Sequence, residues 1–220
     1  MGTYMGYGVA SATPSSSPGM LTLSINVHGI ENGREAEYYK SQNLTNYGFN
    51  SGENARPETS YFLGMILRVL RSLELLKTQP EWNGQDLVVS GGSQGGFQAI
   101  AGAALDQDVT QCLAHIPWLC DLGGPTAGRL KGWRPDYTKG LGYFDAVNMA
   151  KRVACEISIS AGLGDYVCPP SGVTVLYNNL KSQKRLELIQ GKTHQFNPKK
   201  SSQKIVWKSG AWPTDATSAE

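Results

Sequence analysis

Ser93 lies in Gly91-Gly92-Ser93-Gln94-Gly95, between the apolar run Asp86 to Ser90 and an Ala/Gly-rich stretch, Phe97 to Leu105. A serine on a sharp turn from a buried strand into a helix is held with its hydroxyl exposed, as an attacking nucleophile needs. Glycines must flank it, because side chains there would collide with the neighbouring strand and helix. The helix start adds a positive dipole end and free N–H groups. A serine near neutral pH needs a base. There are three histidines. His194, in Gly191-Lys192-Thr193-His194, follows the last predicted strand, whereas His28 and His115 end or lie in earlier ones. On such an elbow the acid and then the histidine follow the serine in the chain, which selects His194. The acid falls between them: Asp165 follows the run 155–161 through Gly162-Leu163-Gly164, and Asp121 is the alternative. The chemistry is acyl transfer, with Asp165 fixing the His194 tautomer. Activity is expected to fall on acidification, because an imidazolium cannot take the serine proton. The oxyanion needs donors. One is the Gln94 N–H. The second comes from an earlier loop, either Gly6-Tyr7-Gly8 or His28-Gly29. Tyr7 is preferred, because the next strand in such a fold ends in a glycine turn like His28-Gly29.

These residues need a scaffold that brings strand ends together. Leu21 to Val27 reads as a strand, and 31–60 as a long loop. Tyr61 to Lys77 is the clearest helix, with Phe62, Met65, Ile66, Val69, Leu70, Leu73 and Leu76 on one stripe. Asp86 to Ser90 reads as a strand buried on both faces. Strands at Val109–Ile116, Cys155–Ala161 and Arg185–Gln190 alternate with helices at Phe97–Leu105, Phe144–Arg152 and Val173–Leu180. This rhythm predicts an α/β fold: an open, mostly parallel sheet with helices on both faces. The expectation is a single domain over residues 1–213 and a frayed polar tail over 214–220.

Composition narrows the function classes. With 20 Lys+Arg against 18 Asp+Glu, the net charge of +2 gives no footprint for nucleic acid or an anionic membrane. Hydrophobic residues at 40% exclude a disordered chain. No run reaches the length of a membrane span, and the first basic residue is Arg34, so the start lacks the basic region of a signal peptide. A cytoplasmic location is the expectation. Cys112, Cys120, Cys155 and Cys168 show no metal-ligand spacing and read as reduced thiols.

The motifs together resemble the acetyl xylan esterase / cephalosporin C deacetylase family of α/β-hydrolases. The carrying residues are Gly91-Gly92-Ser93-Gln94-Gly95-Gly96, Ile116-Pro117-Trp118-Leu119-Cys120-Asp121, Gly162-Leu163-Gly164-Asp165 with Cys168-Pro169-Pro170-Ser171, and Thr193-His194. The resemblance implies Ser93, Asp165 and His194 as triad, Tyr7 and Gln94 as oxyanion donors, and removal of acetyl groups from sugar hydroxyls and related small esters without a cofactor. It also implies a closed homo-oligomer. Three features depart from the family. His28-Gly29-Ile30 stands where Arg-Gly-Gln is usual, Gln195 follows the histidine in place of Glu, and the family's first strands lie upstream of where this sequence opens. Trp118, Trp133 and Tyr143 lie in or beside the loops after the nucleophile helix, and their rings suit a sugar or acyl group as well as ordinary packing. Two other readings compete: a serine peptidase of prolyl-oligopeptidase type, for which 220 residues leave no gating domain, and a non-catalytic binding protein on the same fold.

Overall fold

The four strands that carry the site follow one another across the sheet in chain order. The computed structural model describes residues 19–31, 34–42, 48–199 and 202–210. Strands β1 (Val88–Gly92), β2 (Gln111–His115), β3 (Glu156–Gly162) and β4 (Lys184–Ile189) are parallel neighbours, and β5 (Lys204–Ser209) closes the far edge antiparallel to β4. Helix α1 (Ala36–Ser41) is a short turn inside the expected long loop; α2 (Tyr61–Lys77) precedes β1; α3 (Gln94–Leu105), α4 (Ala146–Ala150) and α5 (Pro170–Asn179) are the crossovers.

Every parallel crossover advances the same way across the sheet. A right-handed β-α-β connection therefore puts α3, α4 and α5 on one face. The expectation of helices on both faces is corrected among the described residues, where α2 to α5 pack as one layer, each against the next. Strand burial agrees. Val89, Cys112, Ile157, Ile159, Leu186 and Leu188 face the helices and are buried. Gln111, Ser158, Ser160, Arg185 and Glu187 point the other way and are half-buried. Val88 is 40% exposed, so the β1 run alternates instead of being buried on both faces.

Helix α2 forms where its apolar stripe predicts. Ser60 caps it by accepting the Phe62 N–H, and Phe62, Met65, Ile66, Val69 and Leu73 are buried against the core. Fully burying side chains of this size contributes about 2 kcal/mol each. At its far end Lys77 holds Asp106 at 2.9 Å and Asp108 at 2.6 Å, tying α2 to the exit of α3.

One expectation fails: Leu21 to Val27 is not a strand, because no described strand lies alongside to take its backbone hydrogen bonds. Beyond the last expected strand a further one forms: Lys204–Ser209 pairs with β4 along its whole length. Tyr7 and the 214–220 tail lie outside the described residues.

Candidate active site

The turn at Ser93 is strained where the expected nucleophile sits. Ser93 has φ 54° and ψ −117°, a region that side-chain-bearing residues rarely occupy and that persists only when the surroundings enforce it. The surroundings do so from two sides. Ser93 N–H donates to the His115 carbonyl at 2.9 Å, and the Ser93 carbonyl accepts from Phe97 N–H at 3.1 Å and Trp118 N–H at 3.0 Å. A Cβ on Gly91 would land on the Gly95 backbone, and one on Gly96 would come within 3.0 Å of the His115 carbonyl. The expected collisions thus hold at Gly91 and Gly96, whereas a Cβ on Gly92 would come no closer than 3.9 Å to the His115 carbonyl. Ser93 precedes α3 yet its hydroxyl makes no capping bond. The hydroxyl instead faces Cys168 Sγ at 4.0 Å. The first-turn N–H groups of α3, starting with Gln94, lie before the first intrahelical bond and point out of the helix start.

The other half of the site hangs from β3 and β4. Leu163 N–H donates to the Ile189 carbonyl at 3.1 Å and Gly164 N–H to the Lys192 carbonyl at 3.0 Å. A Cβ on Gly162 would meet that same Lys192 carbonyl, so this close approach requires glycine. The two loops bring Asp165 and His194 together. His194 Nδ1 lies 3.0 Å from Asp165 Oδ2 and 3.2 Å from Oδ1. A carboxylate only accepts, so Nδ1–H donates and Nε2 keeps its lone pair for a proton. Asp165 is 2% exposed, and its Oδ1 also accepts the N–H groups of Val167 and Cys168 at 2.9 Å each.

Among the described residues no hydrogen bond joins Ser93 to His194. Cys168 links the two halves: ligand atoms of Asp165, Cys168 and His194 all lie within 4.8 Å of one another, and Cys168 Sγ is the neighbour of Ser93 Oγ. Burial, then the Asp165 charge, push the Cys168 thiol well above its ordinary range, so it is a neutral S–H. The alternative acid is committed elsewhere. Asp121 receives Arg129 Nε at 2.5 Å and Nη2 at 3.1 Å.

The loop 116–121 after β2 is held in an unusual form. Ile116, Leu119 and Asp121 have φ of 41°, 53° and 61°. Asp145 fixes it by accepting Asp121 N–H at 3.0 Å and Leu122 N–H at 2.7 Å, besides capping α4 through Val147 N–H. Buried Arg134 donates to the Cys120 carbonyl at 2.6 Å. The sequence marked neither residue. Asp145, inside the expected Phe144–Arg152 run and just ahead of α4, is of a residue type that caps helices.

Of the three aromatic residues proposed to meet substrate, the structure sets two apart. Trp118 is 3% exposed, stacks on Trp133 at 5.5 Å and donates from Nε1 to the Trp133 carbonyl, so its ring serves packing. Tyr143 lines a groove of about 690 Å³ with Leu63, Ile66, Leu105 and Met149, over the helix layer. Trp133 is half exposed, and its N–H donates to the Val167 carbonyl at 3.0 Å, which places it beside the Asp165–Cys168 turn. Behind the elbow, His28 Nδ1 lies 2.5 Å from Tyr61 Oη. Burial and then the Arg68 charge lower the His28 pKa to about 4, against a contrary pull from the Gln94 side chain. His28 is therefore neutral and touches the residue next to the nucleophile.

No described helix is long and apolar enough to cross a membrane. The family model described as acetyl xylan esterase (AXE1) matches residues 3–124 and 134–211. The acetyl esterase Axe7A of Xylanibacter ruminicola is 27% identical over 203 residues, which is 86% of this chain and 46% of that protein. Among solved structures, the acetyl xylan esterase from Paenibacillus sp. R4 superposes with a TM-score of 0.60 at 28% identity, covering 66% of this chain and 51% of that one. Acetyl xylan esterase 1 from Thermoanaerobacterium sp. JW/SL YS485 gives a TM-score of 0.59 at 26% identity, over 72% of this chain and 55% of that one. The chain spans about half the length of these relatives.

Proposed function

The chain belongs to the acetyl xylan esterase family, and from that premise we propose that it is a serine carboxylic-ester hydrolase removing acetyl and other short acyl groups, chiefly from carbohydrate hydroxyls. Ser93 Oγ attacks the ester carbonyl and His194 Nε2 takes its proton. Asp165 holds the imidazole in the required tautomer and stabilises the imidazolium. The tetrahedral oxyanion is received by the N–H of Gln94 and by that of Tyr7. The sugar alkoxide leaves with the proton from His194, and water then hydrolyses the acyl-enzyme by the same route.

The observation that carries this reading is the Asp165–His194 pair at 3.0 Å, beside a serine on a strained elbow whose hydroxyl is not used as a helix cap. Catalytic hydrogen bonds are often long in a free enzyme and tighten around substrate. A turn of the Ser93 side chain away from Cys168, or a shift of the loop carrying His194, is the motion this reading requires. The exposed Trp133 ring beside the Asp165–Cys168 turn offers a stacking face for a sugar.

The test is hydrolysis of p-nitrophenyl acetate and of acetylated xylo-oligosaccharides, with octanoyl ester and peptide anilide as comparisons. The expected result is release from the acetyl substrates and a loss of about 10³-fold or more in Ser93→Ala. Equal rates for the two proteins overturn the proposal, and a preference for the anilide replaces it with a peptidase.

A further inference from the structure

We propose that Asp165, Cys168 and His194 form a binding site for a thiophilic divalent cation of the Zn²⁺ type, and that the occupied site is inhibited. The regulatory half of this proposal rests on the hydrolase reading above; the binding half rests on geometry alone.

Three different ligand types converge here: a carboxylate oxygen, a thiol sulfur and an imidazole nitrogen, all within 4.8 Å of one another. Zn²⁺ takes this combination at about 2.0–2.3 Å in tetrahedral sites, so its ligand atoms stand roughly 3.5 Å apart. The Asp165–His194 edge already measures 3.0 Å, and the other two edges have to close from no more than 4.8 Å. Backbone bonds hold the carboxylate in place from the other side. Oδ1 takes the Val167 and Cys168 N–H groups at 2.9 Å, which leaves Oδ2 directed to His194. That same turn fixes the Cys168 backbone three residues on, so the thiol is delivered to the carboxylate by a single local motif. Asp165 and Cys168 are 2% and 4% exposed. An anionic thiolate and carboxylate buried together are costly unless a cation neutralises them, and Zn²⁺ does so as the thiol proton passes to solvent. The Ser93 hydroxyl lies 4.0 Å from Cys168 Sγ.

Binding at either imidazole nitrogen has the same consequence. At Nε2 the metal occupies the lone pair that would take the serine proton. At Nδ1 it replaces the proton that Asp165 holds, and the tautomer is lost. The cysteine is not needed for acyl transfer, so its part in the cluster is an addition to the hydrolytic machinery.

The experiment titrates the whole chain with Zn²⁺ against a chromophoric chelator. One Zn²⁺ per chain is expected in wild type, retained in Ser93→Ala, and bound at least tenfold more weakly in Cys168→Ala and in His194→Gln, with circular dichroism reporting the fold of each variant. In parallel, p-nitrophenyl acetate hydrolysis by wild type should fall on adding Zn²⁺ and return with EDTA. Cys168→Ala, measured against its own metal-free rate, should resist at least tenfold more Zn²⁺. Equal Zn²⁺ affinity in wild type and a folded Cys168→Ala overturns the site. Should Cys168→Ala fail to fold, Cys168→Ser takes its place, and unchanged binding there overturns it equally. Cysteine-dependent binding in a chain that hydrolyses no ester sustains the site and removes the hydrolase reading. Cysteine-dependent binding with ester hydrolysis indifferent to Zn²⁺ sustains the site and overturns its inhibitory role.

Discussion

Acidification should cost this fold stability through one imidazole that takes no part in the proposed proton transfer. His28 is held neutral, its pKa lowered from 6.5 to about 4. Tyr61 and Arg68 of α2 face it, as does Gln94 at the start of α3. The unfolded chain binds a proton near pH 6.5 that the folded chain refuses until about pH 4. The stability held above the unfolded value is therefore lost as pH falls between them. The full difference, about 2.5 units at 1.36 kcal/mol each, is roughly 3 kcal/mol, with about 2 kcal/mol gone by pH 5. The perturbation is His28→Gln, which keeps hydrogen-bonding capacity and removes the titration. Urea unfolding of both proteins from about pH 7 to 4 should show wild type losing about 2 kcal/mol more than the variant by pH 5. His115, whose pKa is also lowered by burial, is common to both and cancels. Parallel stability curves would refute the argument: His28 would then carry no proton-linked difference between folded and unfolded chain.

Asp165→Asn keeps an acceptor for the Val167 and Cys168 N–H groups but no longer fixes the histidine tautomer; kcat on acetyl esters should fall about 10³- to 10⁴-fold with the circular dichroism spectrum unchanged, and a loss under tenfold would count against the triad. Gly91→Ala drives a methyl into the Gly95 backbone. It should destabilise by about 3 kcal/mol or prevent folding, read by thermal melting, and a melting temperature within a few degrees of wild type would show that the elbow relaxes freely.

The site was more legible than the sheet, for a physical reason. The elbow, the acid and the base each follow a strand whose apolar run is local, and the Gly91 and Gly162 approaches leave a mark in the chain itself. Helix α2 was equally plain, because its stripe is a property of 17 consecutive residues. Strands are different, since each exists only through a partner. Leu21–Val27 has strand composition but no described neighbour. Lys204–Ser209 has lysines at both 204 and 208 and exposed side chains throughout, yet pairs fully with β4. Such lysines suit an edge strand, where charge discourages pairing with another molecule, and they left the segment polar with no strand expected in it. Helix α3 begins at Gln94, ahead of the expected Phe97: Gly95 and Gly96 lower helix propensity, but a Cβ on Gly96 would press on the His115 carbonyl and Pro117. Cys168 was read as a reduced thiol within the Cys168-Pro169-Pro170 motif, with no part in the chemistry. Its place beside Ser93 follows from the Asp165 turn three residues earlier, a tertiary fact with a faint local trace.

The order of strands across the sheet repeats their order along the polymer from β1 to β4. A chain emerging during synthesis can lay each strand against the one just made, with no earlier strand waiting for a distant mate. The serine turn is complete after β1, the carboxylate arrives after β3, and the imidazole comes only with the loop beyond β4. In the proposed mechanism, the group that takes the serine proton is thus the last part of the site to be synthesised.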